Sequence, residues 1–279
     1  MDTFLGAALV LLPLAYLAAA AAYAALFFSG TAGGGGQPAR RIATPLLAGT
    51  VAFHLLYLAV LTARYAQLPA ATVSQALSIV AFAVAVVYLF VEWHGRERST
   101  GFWLVSLAFV FQLLSSLLAR PNPPSRELFH DAYFATHVSL ALLGYAAFVV
   151  AAGYGFLFLQ LYRELKGRRF STFYGRLPPL EVLERMMTGA LWAGFLALTG
   201  AVAVGAFWAE RLYDGVWLKD PKIAVTLVIW ALYATSLVLK RLRRWQGRQT
   251  AVASLTGLGV ILFSLVAVNL FFTDFHGFL

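Results

Sequence analysis

Residues 188–208 read TGALWAGFLALTGAVAVGAFW, residues 208–222 read WAERLYDGVWLKDPK, and residues 223–239 read IAVTLVIWALYATSLVL. The outer two segments are almost wholly apolar, and each approaches the roughly 20 residues that a helix needs to cross a bilayer. Because backbone polar groups in lipid need partners within the protein, runs of this length predict spanning helices. The segment between them carries charged and aromatic side chains. It predicts a polar loop at a membrane surface.

The same alternation of apolar and polar segments extends over the whole chain. Of the 279 residues, 61% are hydrophobic and 12% are charged, with a mean hydropathy of +0.78, whereas soluble domains average about 25% charged residues. Apolar runs lie near 4–28, 42–63, 72–91, 102–119, 132–162, 188–208, 223–239 and 249–272. Their length excludes a β-barrel. The prediction is an all-α integral membrane bundle of eight transmembrane helices that forms a single domain over residues 1–279.

Lysine and arginine are unequally divided between the two ends of these helices. The connections after the first, third, fifth and seventh helices carry most of them: Arg40, Arg41, Arg96, Arg98, Arg163, Lys166, Arg168, Arg169, Arg176, Arg185, Lys240, Arg241, Arg243, Arg244 and Arg248. Cytoplasmic loops hold the excess of such residues. Both termini and the 208–222 loop are therefore predicted to lie outside. This distribution accounts for the net charge of +9, so the bilayer is the expected partner and nucleic acid is not.

Several finer features of the chain carry their own predictions. An inner loop is expected from Glu92 to Thr100, with His94 at the surface. Residues 177–185, which begin near two prolines, predict a short interfacial helix separate from the following span. The eight apolar runs contain no Asp, Glu, Lys or Arg, which argues against an ion-coupled transporter with a relay in mid-membrane. The absence of cysteine excludes disulfides and thiolate metal sites.

Three of the five histidines are candidates for function. His54 falls near the middle of the second helix, where an ionisable residue is a functional candidate by default. The alternative is a neutral histidine hydrogen-bonded to a neighbouring helix, through Gln75 or Gln112. His137 falls inside the outer end of the fifth helix, with His130 two turns before it, and His276 lies close to the end of the chain.

On the predicted topology, His137, His276 and the 208–222 loop share the outer face. Two neutral imidazoles from separate helix ends can ligate one metal. Aromatic side chains surround them, and histidine is a common axial ligand of haem iron. A zinc site would need three or four ligands, whereas the carboxylates here are scattered. Haem is the ligand that fits this combination best.

Seven short segments of the sequence together resemble the cytochrome c assembly family. They are HVSLALLGY at 137–145, LEVL at 180–183, WA at 208–209, DPK at 220–222, WALY at 230–233, WQGR at 245–248 and FH at 275–276. This family includes the CcsA, CcmC and HemX-type haem-handling proteins. The resembling region is about 50–279, and the core of the haem site is expected within 130–279.

The resemblance implies a set of haem-binding residues. His137 and His276 match the two external histidines that bind haem iron in the family, and His54 matches a histidine associated with a second haem inside the membrane. The cofactor-binding residues expected from the loop are Trp208, Trp217, Asp220 and Lys222. The implied cofactor is b-type, non-covalently bound haem.

The sequence also departs from the family pattern. The family loop resembles WGxYWxWDPK, but here Trp217 and Asp220-Pro-Lys222 are what remains of it, and Val238 stands where CcsA-type proteins place another histidine. These departures make the chain more similar to the HemX-type branch.

Three functions follow from these considerations. The first is a protein of cytochrome c biogenesis in a bacterial-type cytoplasmic membrane, which receives haem and presents it outside for transfer or attachment to apocytochrome c, with a partner assembly subunit. No catalytic residue is expected, because the chemistry resides in the cofactor. The second is a HemX-like regulator of tetrapyrrole synthesis that docks partners on the basic segment 163–185. The third, a small-molecule transporter unrelated to haem, is disfavoured by the uncharged spans.

Overall fold

The protein folds as α-helices joined by short connections. The computed structural model describes residues 2–29, 37–95, 98–120, 129, 131–168, 174–213, 221–242 and 244–264. The helices within these ranges are α1 (Asp2–Ser29), α2 (Gln37–Tyr65), α3 (Val73–Gly95), α4 (Gly101–Leu117), α5 (Ala132–Lys166), α6 (Leu180–Tyr213), α7 (Pro221–Arg241) and α8 (Gly247–Phe263). The predicted all-α fold class is confirmed.

The lengths and apolar composition of these helices identify a multi-pass membrane protein. Within the described ranges, α1, α2, α3, α5, α6 and α7 are long and apolar enough to cross a membrane, and α4 is apolar but shorter, with 17 residues. The 35 residues of α5 extend over about 52 Å, more than the roughly 30 Å of a hydrocarbon core. Eight spans and external termini stay predictions.

Helix α6 differs from the sequence prediction at both of its ends. No separate interfacial helix exists over the described residues 177–185, because Pro178 and Pro179 immediately precede a helix that begins at Leu180 and continues without a break. At its other end α6 continues to Tyr213, so the predicted loop at 208–222 was too long. Trp208 is therefore a helical residue.

Helix α3 also continues further than predicted. It ends at Gly95, so Glu92 lies in the helix and not in a loop. The residue is 4% exposed, whereas a residue of the predicted inner loop would lie in solvent. His94 is exposed, as predicted. A buried carboxylate therefore lies one turn from the end of an apolar helix. The absence of charge from the spans is thus weaker evidence against a transporter.

Contacts between Cα atoms divide the chain into two compact units. The first contains α1 to α4 together with the last turns of α5, from Gln160 onward. Helix α1 packs against α2 and α4 there. Tyrosines with fully buried rings, Tyr16, Tyr23 and Tyr88, fill its interior. Their hydroxyl groups give this core polar as well as apolar contacts.

The second unit contains α5 up to Leu159 together with α6, α7 and α8. Its core includes a stacked pair of rings, Phe148 and Tyr233, whose centroids lie 3.8 Å apart. Helices α5 and α6 approach closely because glycines face each other: a Cβ atom added to Gly144 would lie 3.2 Å from the carbonyl oxygen of Gly194. Small residues allow this kind of contact between membrane helices. The prediction of a single domain stays a prediction.

Candidate functional site at the paired ends of α5 and α6

The start of α5 is fixed by a side-chain cap. Oδ1 of Asp131 accepts hydrogen bonds from the backbone amides of Tyr133, at 2.6 Å, and Phe134, at 3.3 Å. An aspartate at this position satisfies amides that have no partner within the helix. His137 therefore lies in the second turn of a well-defined helix. This is the position that the sequence predicts for it.

The half-buried imidazole of His137 contacts the neighbouring helix α6. Its Nδ1 atom lies 2.8 Å from the backbone carbonyl oxygen of Ala201. Because a carbonyl oxygen can only accept, Nδ1 must donate. In a neutral imidazole the lone pair then lies on Nε2. A backbone carbonyl that fixes the tautomer in this way is a common feature of histidines that bind metals.

Gly205 provides the space that the imidazole of His137 occupies. A Cβ atom added to Gly205 would lie 2.5 Å from Nδ1 and 2.7 Å from Cε1 of that ring, closer than real Cβ atoms approach. Ala201 and Gly205 are one helical turn apart on α6, so one supplies the hydrogen-bond acceptor and the other the room. The sequence gives no sign that the neighbour of Gly205 is His137.

Aromatic side chains form one wall beside this histidine. The rings of Phe134 and Trp208 have centroids 5.9 Å apart, and Phe129 lies 5.1 Å from Phe134. Ala71 and Val138 pack against the same cluster. The wall thus combines residues before and after the start of α5 with the end of α6. Trp208, predicted from the loop, is brought to the same helix pair as His137.

A cation lies at the same ends of α5 and α6. The guanidinium carbon of Arg211 is 4.2 Å from the ring centroid of Phe207 and 5.7 Å from that of Tyr133. The two rings lie 5.7 Å apart. Contacts of this kind hold a guanidinium by its face. We call His137, Gly205, Phe134, Trp208 and Arg211 the α5–α6 site.

Four of the predicted site residues are described only in part or not at all. His276, Trp217 and Asp220 lie outside the described residues, as does His130. Lys222 lies in the first turn of α7, and its side chain is outside the described part of the chain. The structure therefore brings together two of the predicted residues, His137 and Trp208.

His54, the third predicted histidine, has a different environment in the first unit. It is fully buried; its Nδ1 lies 2.9 Å from Oη of Tyr16, and its Nε2 lies 2.9 Å from Oγ of Ser78. Ser78 donates to Oε1 of Gln112 at 2.9 Å, so it accepts from Nε2–H of His54. Gln112 in turn donates to Ser116 at 3.3 Å.

This line of hydrogen bonds joins α1, α2, α3 and α4. Gln112 is one of the two glutamines expected near His54, but it is reached through Ser78. Both ring nitrogens of His54 have protein partners, so ligation of iron would require one of these bonds to break. The role of His54 at a second haem stays a prediction.

Glu92 forms a second polar cluster in the first unit, one that the sequence analysis missed. Its carboxylate accepts hydrogen bonds from Tyr23 and, at 2.5 Å, from Thr44, and Nε of Arg98 lies 2.8 Å from Oε1. Buried charges need this kind of pairing. The cluster connects α1, α2 and α3 to the segment that precedes α4. No sequence signal marked it, because the burial of Glu92 depends on the packing of these helices.

The chemistry available at the α5–α6 site is ligation and stacking. Among the described residues, no group of three or more His, Cys, Asp or Glu side chains could hold a metal ion. Iron that is already held by a porphyrin needs only axial ligands, for which one imidazole from each helix end is sufficient. A fixed imidazole, an aromatic wall and a guanidinium together fit an apolar metal complex that carries acidic groups.

The fold and this site define a class, a multi-pass helical membrane protein with a histidine and an aromatic wall at the end of a helix pair. The family described as Cytochrome C assembly protein matches residues 44–276. This range covers well over half of the chain. The chain belongs to the cytochrome c assembly family.

Individual relatives agree with this assignment. The chain is 27% identical to the cytochrome c biogenesis protein CcsA of Synechococcus sp. (strain RCC307) over 302 residues, which covers 98% of this chain and 92% of that protein. It is 27% identical to CcsA of Synechococcus sp. (strain CC9605), covering 81% and 83% of the two chains. CcsA of Parasynechococcus marenigrum (strain WH8102) is 28% identical, with 75% and 77% covered. The closer likeness to the HemX-type branch stays a prediction.

Proposed function

We propose that this protein works in cytochrome c biogenesis by taking up haem and presenting it at the outer face of a bacterial-type cytoplasmic membrane. His137 and His276 are the axial ligands in this proposal, and apocytochrome c receives the haem with the help of a partner subunit. Membership of the cytochrome c assembly family supports the role in biogenesis. The relatives named CcsA support it further.

One observation carries the assignment of His137. Its Nδ1 is held by the carbonyl oxygen of Ala201 at 2.8 Å, which leaves the lone pair on the nitrogen that a histidine most often uses toward a metal. The protein thus fixes the orientation of the ring and the position of its proton. Haem would supply the chemistry of attachment when bound, and the chain would supply orientation and axial ligation.

The aromatic wall and Arg211 provide the rest of the contact surface. Large rings contribute apolar area and stacking toward a flat ligand. Arg211, which rests on Phe207 and Tyr133 at the same helix ends, would pair with a carboxylate of that ligand. Lys222 and the loop residues Trp217 and Asp220 are expected to complete the site. Together they would bind b-type haem without a covalent bond.

The test compares three histidine variants of the purified protein. His137→Ala and His276→Ala are expected to lose the low-spin bis-histidine absorbance spectrum of the wild type after reconstitution with haem. His94→Ala is the matched control, because His94 is an exposed histidine on α3, and its spectrum should be unchanged. Identical spectra for all three variants and the wild type would contradict the assignment of both ligands.

The haem spectrum and two measurements in cells separate the alternative functions. A transporter unrelated to haem would show no haem spectrum in the wild type. A regulator of tetrapyrrole synthesis would affect synthesis of tetrapyrroles in cells even when His137 is replaced. Attachment of haem to a co-expressed apocytochrome c should instead fall with His137→Ala, in parallel with the loss of the spectrum.

A further inference from the structure

A cavity of about 670 Å³ opens between α7 and α8, away from the α5–α6 site. The end of α7 nearest to it carries Lys240, which forms an ion pair with Glu184 near the start of α6. Trp208 of the α5–α6 site lies 24 residues further along α6, which corresponds to about 36 Å. The cavity and the α5–α6 site therefore belong to opposite ends of the second unit.

The lining of this cavity has an apolar part and a polar part. Ala231, Leu232, Val252 and Ala253 form apolar walls on the two helices. Trp245, Arg248 and Gln249 line the end where α8 begins. Ser236, also in the lining, donates its hydroxyl proton to the carbonyl of Leu232 within its own helix, at 2.9 Å. The hydroxyl therefore adds little polarity to the apolar part.

Positive charge is in excess around the polar end, although the carboxylate of Glu184 lies beside Gly247. Residues 221–273 contain no Asp or Glu, but they contain Lys222, Lys240, Arg241, Arg243, Arg244 and Arg248. Glu184 of α6 neutralises Lys240. Arg241, Arg244 and Arg248 are exposed, and no ion pair between described residues involves them. An excess of positive charge thus borders the cavity beside Trp245.

These features together select the kind of ligand. The cavity opens on helices whose outward side chains, among them Val228, Val238 and Val252, are apolar and exposed, and in a multi-pass membrane protein such surfaces face lipid. A groove with an apolar body and a basic, tryptophan-bearing end has the polarity of a phospholipid with an acidic headgroup. Basic residues at membrane interfaces attract such headgroups, and tryptophan favours the same depth.

We propose that the α7–α8 cavity binds one acidic phospholipid. Its acyl chain lies against Ala231, Leu232, Val252 and Ala253, and its phosphate pairs with Arg248 beside Trp245. From Arg248 to Thr256, the last lining residue of α8, the groove extends over about 12 Å. This length accommodates the upper part of an acyl chain. The lipid would hold α7 against α8 at the end opposite to the α5–α6 site.

The test measures lipid selectivity in nanodiscs that contain equal amounts of phosphatidylglycerol and phosphatidylcholine. Native mass spectrometry of the released protein gives the ratio of the two lipids that remain bound. Arg248→Gln should lower the preference for phosphatidylglycerol about fivefold, which is the effect expected for one cation near a headgroup. Ala231→Phe, which fills the groove from an exposed position, should reduce retention of both lipids.

Arg163→Gln is the matched control, because Arg163 is an exposed arginine in the last turn of α5 and does not line the cavity. Its selectivity should equal that of the wild type. Equal losses for Arg248→Gln and Arg163→Gln would overturn the proposal, because they would indicate a general charge effect. Equal retention of the two lipids by the wild type would overturn it too, as would full displacement by soluble glycerol phosphate, which has no acyl chain.

Discussion

His54 and His137 both lie in apolar helices, but the structure treats their imidazoles in opposite ways. His54 is fully buried in the first unit, and side chains from two other helices bind both of its nitrogens, at 2.9 Å each. His137 is half-buried in the second unit, and its Nδ1 binds a backbone carbonyl oxygen at 2.8 Å. The first histidine completes a line of side chains, whereas the second is held by the main chain.

This difference is the basis on which we propose His137 as a haem ligand and expect His54 to act mainly in stability. In the line through His54, the imidazole and the Ser78 hydroxyl each donate one hydrogen bond and accept another, so removing His54 takes a partner from both Tyr16 and Ser78. At His137 the carbonyl of Ala201 fixes one nitrogen and thereby directs the lone pair to the other. The resemblance assigns both histidines to haem, and we propose this role for His137, whose Nδ1–H has a main-chain acceptor.

Replacing each histidine by leucine should give the largest contrast. His54→Leu removes the partner of Tyr16 and the donor to Ser78, and each buried group left unsatisfied costs about 1–3 kcal/mol. The variant should therefore unfold at a lower temperature in detergent, with a loss of about 2–6 kcal/mol, while the folded fraction keeps the wild-type haem spectrum. His137→Leu should lose the spectrum with a smaller loss of stability.

The crossed result would reverse these roles. Loss of the haem spectrum in His54→Leu at temperatures where the protein is still folded would assign His54 to haem. In that case the hydrogen bonds to Tyr16 and Ser78 would have to open when haem binds. Thermal unfolding followed by circular dichroism, together with absorbance at each temperature, measures both properties on one sample.

The sequence predicts the fold class because the apolar runs are long and uninterrupted. The sequence also places His137 correctly in α5, because the apolar run is long and Asp131 marks its start. It fails where a polar residue lies next to an apolar run, because polarity alone does not show whether a helix ends. Glu92 continues α3 into a cluster with Tyr23 and Thr44, and only the packing of three helices reveals this burial.

The predicted end of α6 was too early for the same reason, because polarity alone does not show where a helix ends. The segment after Trp208 is polar, but Phe207 and Arg211 are four residues apart and lie on one face of a helix. Their contact, at 4.2 Å from guanidinium carbon to ring centroid, belongs to a helix that continues to Tyr213. Spacing of this kind was a usable signal. The neighbours of Gly205 and of His54 on other helices left no such signal, because they depend on tertiary packing.

A second prediction tests whether the position of the His137 ring matters as well as its presence. Gly205→Ala would place a methyl group 2.5 Å from Nδ1, so the ring must move away from Ala201. We expect haem affinity to fall about tenfold, which corresponds to about 1.4 kcal/mol. Titration of the apoprotein with haem measures this change, and the rate of His137 modification by diethyl pyrocarbonate reports the ring itself without haem.

Gly189→Ala is the control for this prediction. Gly189 lies on the same helix, and nothing lies within 4 Å of a Cβ atom added there. Its affinity for haem and the modification rate of His137 should match those of the wild type. If Gly205→Ala changed neither quantity, the ring would be free to adopt another position, and the bond to Ala201 would not direct the lone pair.

The smallest effect is expected at Arg211, which tests whether the α5–α6 site distinguishes acidic ligands. Arg211 is exposed and rests on Phe207 and Tyr133, so its pairing with a carboxylate is screened by water and salt. Arg211→Gln should weaken haem binding by about fivefold at most. The effect should shrink as salt is added, and haem dimethyl ester, which lacks free carboxylates, should bind equally to the variant and the wild type.

Arg64→Gln is the control for this prediction, because it removes an arginine paired with Asp2 in the first unit. It should change the affinity for neither haem nor the ester. A loss of affinity for the ester as large as that for haem would show that Arg211 acts by holding the aromatic rings. In that case the charge of Arg211 would contribute nothing to haem binding beside His137.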